Sequence, residues 1–147
     1  MLIALIHLLA TTAMAGLIWF VQVVHYPLFA DVPASASTAY AERHQRLTAR
    51  VVGAPMAVEG VCALWLFFAP PAGVGRLLPF IAGLILAVVL GSTVMLQVPR
   101  HGRLARTSTA HEISEVVTSL VTTNWVRTIG WSTRAVLAAV MVAQVAQ

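Results

Sequence analysis

Nothing before Asp31 carries a formal charge, and a second charge-free run fills positions 77–98. Apolar runs of this length constrain the fold more than any other feature of the chain. About 20 mostly apolar residues cross the hydrocarbon core of a bilayer as a helix, which pairs its own backbone donors and acceptors where water is absent. The rest of the chain agrees. Of 147 residues, 59% are hydrophobic and only 10% charged, against roughly 25% charged in a soluble domain. The sequence therefore reads as one integral membrane domain, residues 1–147. Its N-terminal run has no basic leader and continues to Val24, past the roughly 7–15 apolar residues of a signal-peptide core. It is expected to remain as a span.

Four spans are expected, at about 2–24, 51–69, 77–98 and 123–145. The short link "PPAGVGR" makes the second and third an antiparallel hairpin, and Pro79 falls in a first turn, where proline is tolerated. Gly83, Ala87 and Gly91, and likewise Ala135, Ala139 and Ala143, repeat every four residues, which marks them as close-packing faces. With four spans, the loops at 25–50 and 99–122 share one side. They hold Arg43, Arg46, Arg50, Arg100, Arg103 and Arg106, while the other side has only Arg76. The positive-inside rule puts that arginine-rich side in the cytoplasm and both termini outside.

Both arginine-rich connections carry helical signals. A Ser/Thr cluster in "SASTAYAERHQRLTARVV" is placed to cap, with Glu42 and Arg46 one turn apart. In "TSTAHEISEVVTSLV", Thr109 or Ser108 is placed to cap and Glu112 lies in the first turn. The expected fold is all-α: a membrane four-helix bundle with two short interfacial helices on the cytoplasmic side. Trp125, Trp65, Phe67 and Phe68 fall where aromatic belts are expected.

All nine basic residues are arginine, and in so apolar a chain they speak of topology and buried pairing; no nucleic-acid partner is expected. The lone Cys62 builds no disulfide or CxxC site. No Gly-rich phosphate loop, Ser-His-Asp order or inverted repeat is present, so hydrolase, kinase and repeat-transporter classes lack their signatures.

The polar residues inside the spans carry what chemistry there is. Asn124, Arg127, Trp131 and Arg134 share one face of the fourth span at about 100° per residue. Arg134 lies roughly 16 Å into its span and Glu59 roughly 12–14 Å into the second, measured from the same side. A charge at that depth turns inward and pairs. Glu59 is the one acid in any span, so it must answer Arg134, Arg127 or both, with Arg134 the better match in depth. Two arginines to one glutamate leave a positive surplus, suited to a carboxylate, phenolate, quinone oxygen or haem propionate.

His25, His44, His101 and His111 all fall on the expected cytoplasmic side. Imidazole is the commonest metal ligand, and His25, His44 and His101 are the candidate set for a transition metal, or for a shared substrate. Their spacing matches no zinc signature. His7 is in phase with Thr11, Gln22 and His25, a polar stripe expected to face the bundle.

The segments "HLLATTAMAGLIWFVQVVHYPLF", "QVPRHGRLA" and "TNWVRTIGWSTRAV" resemble small bacterial four-helix membrane proteins, and the N-x-x-R of Asn124 and Arg127 is similar to the anthrone oxygenase-like membrane family. That resemblance implies oxidation of aromatic polyketides. "IHLLATTAMAGLIWF" also resembles the first helix of small membrane protoporphyrinogen oxidases, which bind haem, with His7 at the corresponding histidine. The expected function is a membrane-embedded oxidoreductase or oxygenase for a lipophilic aromatic or quinone-like molecule. In it Glu59, Arg127 and Arg134 are the catalytic candidates, Asn124 and Trp131 bind substrate, and His25, His44 and His101 bind a metal. The alternative is a non-catalytic bundle that binds a lipid, haem or partner protein. Expected partners are the bilayer and a small lipophilic substrate, with homo-oligomers left open.

Overall fold

A computed structural model describes residues 1–107 and 109–147. The chain is a membrane protein built as an all-α bundle of four helices, each long and apolar enough to cross a bilayer: α1 Leu2–Asp31, α2 Ala34–Phe68, α3 Leu77–Leu104 and α4 Ala110–Val145. The helix α1 packs along both α2 and α4, and α3 closes the bundle against α4 and α2.

The short helices expected ahead of the second and fourth spans are the N-terminal parts of α2 and α4, with no break between. Apolar positions explain the continuity in α4: Ile113, Val116, Val117 and Leu120 are buried in the same core as Trp131. The α4 cap is Thr109, whose hydroxyl accepts from the Glu112 amide at 3.4 Å and donates to its carboxylate at 2.7 Å. Ser108, the other expected cap, lies outside the described residues. At α2, Pro33 takes the N-cap position, so the Ser/Thr cluster sits inside the helix and caps nothing. Among the described residues no ion pair joins Glu42 to Arg46.

Two π-helical turns interrupt the spans, at Val21–His25 in α1 and Thr93–Gln97 in α3. Each lies two residues ahead of a proline, Pro27 or Pro99. A proline inside a helix has no N–H to donate and its ring crowds the carbonyl four residues back. A widened turn just before it relieves both problems.

The small-residue stripes expected to pack inside the bundle do not. An added Cβ at Gly83 or Gly91 would meet nothing within 4 Å, and Ala87, Ala139 and Ala143 are exposed. The close approach of α3 and α4 is made at Gly130, where an added Cβ would strike the Val89 side chain. Trp65, Phe67, Phe68 and Trp125 point outward, as belt residues do.

Two apolar cores form along the bundle. A larger one holds Met14, Ile18, Phe29, Leu120 and Trp131. A smaller one near the termini holds Leu66, Val74, Ala82 and Met141. Between the two lie His7 of α1, Glu59 of α2 and Arg134 of α4, all fully buried.

Candidate functional site

The spans bring polar side chains together in two places. The first is the layer between the cores. Glu59 and Arg134 form an ion pair in which both side chains are wholly buried. The Arg134 guanidinium also donates to the Ala82 backbone carbonyl of α3. His7 Nε2 lies 3.2 Å from Glu59 Oε1 and 3.3 Å from Arg134 Nη2. It can serve only one of them, and as an N–H it donates to the carboxylate. Thr11 donates to the His7 carbonyl at 2.8 Å and lies 3.4 Å from Glu59 Oε1. One acid thus neutralises one arginine, with α1, α2, α3 and α4 all contributing. The pairing of Glu59 with Arg134 is the one that depth and scarcity of acids require. Trp131, a substrate-binding candidate in the sequence, is fully buried in the larger core. Its ring lies 5.9 Å from the Arg134 guanidinium carbon, so it packs on that layer and does not line the cavities at the arginine-rich end.

The second place is that arginine-rich end, where polar groups border open space. Here the π turns matter. Val21 of the first and Tyr26 just past it, with Thr93 and Gln97 of the second and Val98 just past it, line a cavity of about 290 Å³. Its apolar wall includes Ile18, Val52 and Met56, and its polar end is formed by Tyr26, His44, His101 and Arg127. The Tyr26 hydroxyl is 2.9 Å from His101 Nε2, and Gln45 donates to the His101 carbonyl at 3.2 Å.

Arg127 is the surplus cation. Among the described residues no carboxylate comes within 4 Å of it. Its Nη1 donates to Asn124 Oδ1 at 3.1 Å, while its Nε is buried with no partner. Asn124, the other substrate-binding candidate, does not reach the cavity. Its amide donates to Gln22 Oε1 at 2.9 Å, and Gln22 in turn donates to the Val121 carbonyl at 3.1 Å. Thr128 donates to the same Gln22 oxygen at 3.2 Å. This fully buried chain from α1 to α4 fixes the oxygen that holds Arg127.

The three histidines expected to share a metal do meet, but as a packed cluster. His25 Nε2 is 2.7 Å from His44 Nδ1, their rings are stacked with centroids 4.4 Å apart, and the His101 ring lies 5.4 Å from that of His44. Phe29 closes the group edge-on. Among the described residues no group of three His, Cys, Asp or Glu is arranged to hold a metal ion. His25 Nε2 faces His44 Nδ1, which also meets the Thr48 hydroxyl, and His101 Nε2 faces the Tyr26 hydroxyl, so these nitrogens do not point at one centre, while His101 Nδ1 is buried with no partner. His111 stays apart, exposed beside Glu115. His7 meets Glu59 and Arg134 through Nε2 alone, and its Nδ1 is buried with no partner.

Tyr26 and Gln97 were not expected at the site, and Gln22 was expected only on the inward polar stripe of α1, where it is indeed buried. The signal was available for Gln97: a long polar amide inside an otherwise apolar span turns inward as a charge does. Comparison with family models, curated proteins and solved structures gives no match.

Proposed function

We propose that this chain binds a lipophilic aromatic or quinone-like molecule in the cavity at its arginine-rich end and acts on it as an oxidoreductase. Arg127 carries the proposal. It is a cation without an acid, held by Asn124 at the edge of an apolar cavity. A guanidinium in such surroundings favours a ligand that brings an anionic or strongly accepting oxygen. Tyr26 and His101, 2.9 Å apart on the same cavity, are suited to pass a proton to or from that oxygen. Quinone reduction and phenol oxidation both require such a transfer, which is why the fuller reading is an oxidoreductase. Glu59 and Arg134 have no part in binding the molecule; they hold the helices together. The arginine-rich end would face the cytoplasm of a bacterial inner membrane, with both termini outside.

The test is equilibrium dialysis of the detergent-purified protein against a hydroxylated naphthoquinone. Saturable binding in the parent and its loss in Arg127→Gln are expected. Equal uptake by both proteins would end the proposal. Saturable binding without turnover, whether an electron donor is supplied with the quinone or an electron acceptor with its reduced hydroquinone form, would leave the non-catalytic alternative.

A further inference from the structure

A second cavity abuts the first. It is a groove of about 390 Å³ between α1 and α2, lined by Leu17, Val21, His44 and Thr48, all four of which also line the inner cavity. The partition between the two is therefore no thicker than these side chains. Its polar lining is His25, Tyr40, Arg43, His44 and Thr48, with His44 held by His25 at 2.7 Å and by Thr48 at 3.1 Å. The far side of the groove is formed by Phe20, Leu47 and Val51, which are 57%, 46% and 59% exposed. Leu17, Phe20, Val21 and Val51 fall within the expected spans, so at their level the groove faces the surface that meets lipid, while Tyr40 and Arg43 lie toward the arginine-rich side.

We infer that the molecule bound at Arg127 is tailed: its ring occupies the inner cavity and an alkyl or isoprenoid chain leaves past His44 into the groove between α1 and α2. This inference rests on the proposal that the inner cavity binds a ring. The chemistry divides in the same way as the surfaces. Tyr26, His101 and Arg127 present donors at one end, whereas the groove offers mainly hydrocarbon. Arg43 lies at its edge, where an arginine keeps its head toward the interface. A ring alone would need no lateral opening, and a lipid chain alone would need no unpaired guanidinium. One molecule with both parts fits both cavities. It also gives His44 a role, as the side chain that must move aside for the chain to pass.

The experiment uses the full chain in phosphatidylcholine nanodiscs and a hydroxylated naphthoquinone carrying an alkyl tail with a terminal diazirine. After irradiation, label is expected on the groove residues Phe20, Leu47 or Val51, displaced by excess untailed hydroxynaphthoquinone. Val51 and Leu47 do not line the inner cavity. Val51→Trp should therefore abolish the groove label while leaving binding of the untailed ring unchanged. Label spread over lipid-facing positions such as Val61 and Leu84, undiminished by the untailed ring, would mean an ordinary bilayer chain occupies the groove; the tail inference would fall and ring binding would stand. If the untailed ring itself shows no Arg127-dependent binding, both readings fall together.

Discussion

Arg134 and Arg127 lie seven residues apart on one helix, yet their surroundings differ in kind. Arg134 is enclosed, its side chain wholly buried against Glu59 and the Ala82 carbonyl. Arg127 is half-buried at the edge of a cavity, with one amide oxygen for a partner. The difference comes from arithmetic in the sequence: one intramembrane acid for two intramembrane arginines. An isolated charge is costly in a low-dielectric interior, so the acid goes to the deeper cation. The shallower one is left to something the protein does not itself supply. A buried cation thus becomes structural or functional according to where the nearest carboxylate sits.

The largest expected effect falls on the enclosed layer. Glu59→Gln strands Arg134 and should cost about 3–5 kcal/mol of unfolding free energy in detergent. Replacing both partners together, as Glu59→Leu with Arg134→Met, should recover much of that loss, because the uncompensated charge is gone. Next comes the helix contact beside that layer. Gly130→Ala forces a methyl group onto Val89 and should destabilise by about 1–3 kcal/mol, read by the same unfolding assay.

The open site should respond less in stability and more in binding. Tyr26→Phe removes the hydroxyl that meets His101 and should cost about 1 kcal/mol, together with weaker binding of the naphthoquinone probe. Arg127→Gln should leave stability unchanged or slightly raised, since a cation without an acid is removed, while dialysis shows the probe no longer bound. If Arg127→Gln instead unfolds the protein as Glu59→Gln does, the contrast between the two arginines disappears.

Much of this was legible in the sequence. Hydropathy located all four spans, and matching depths paired Glu59 with Arg134 while placing Arg127 nearer the arginine-rich end. Apolar length says nothing about where a helix stops once it leaves the bilayer, which is why α2 and α4 run on through segments expected to be separate helices. Angular phase was also misleading past the first π turn. On a regular helix His25 shares the face of His7 and Thr11. The widened turn at Val21–His25 rotates the residues after it, so that Tyr26 is 3% exposed and His25 is only half-buried. The glycine and alanine stripes failed for a related reason. Four-residue spacing identifies a smooth face but not which way it points, and here it points outward.

The allocation of the single acid is tested most directly by two double-mutant cycles on unfolding free energy, Glu59→Gln with Arg134→Gln and Glu59→Gln with Arg127→Gln. Groups in contact couple by about 0.5–3 kcal/mol, whereas separated ones add. The expected result is coupling within that range for Arg134 and none beyond error for Arg127. Equal coupling to both arginines, or coupling to Arg127 alone, would contradict the assignment of Glu59 to Arg134 and with it the case for Arg127 as the ligand-binding cation.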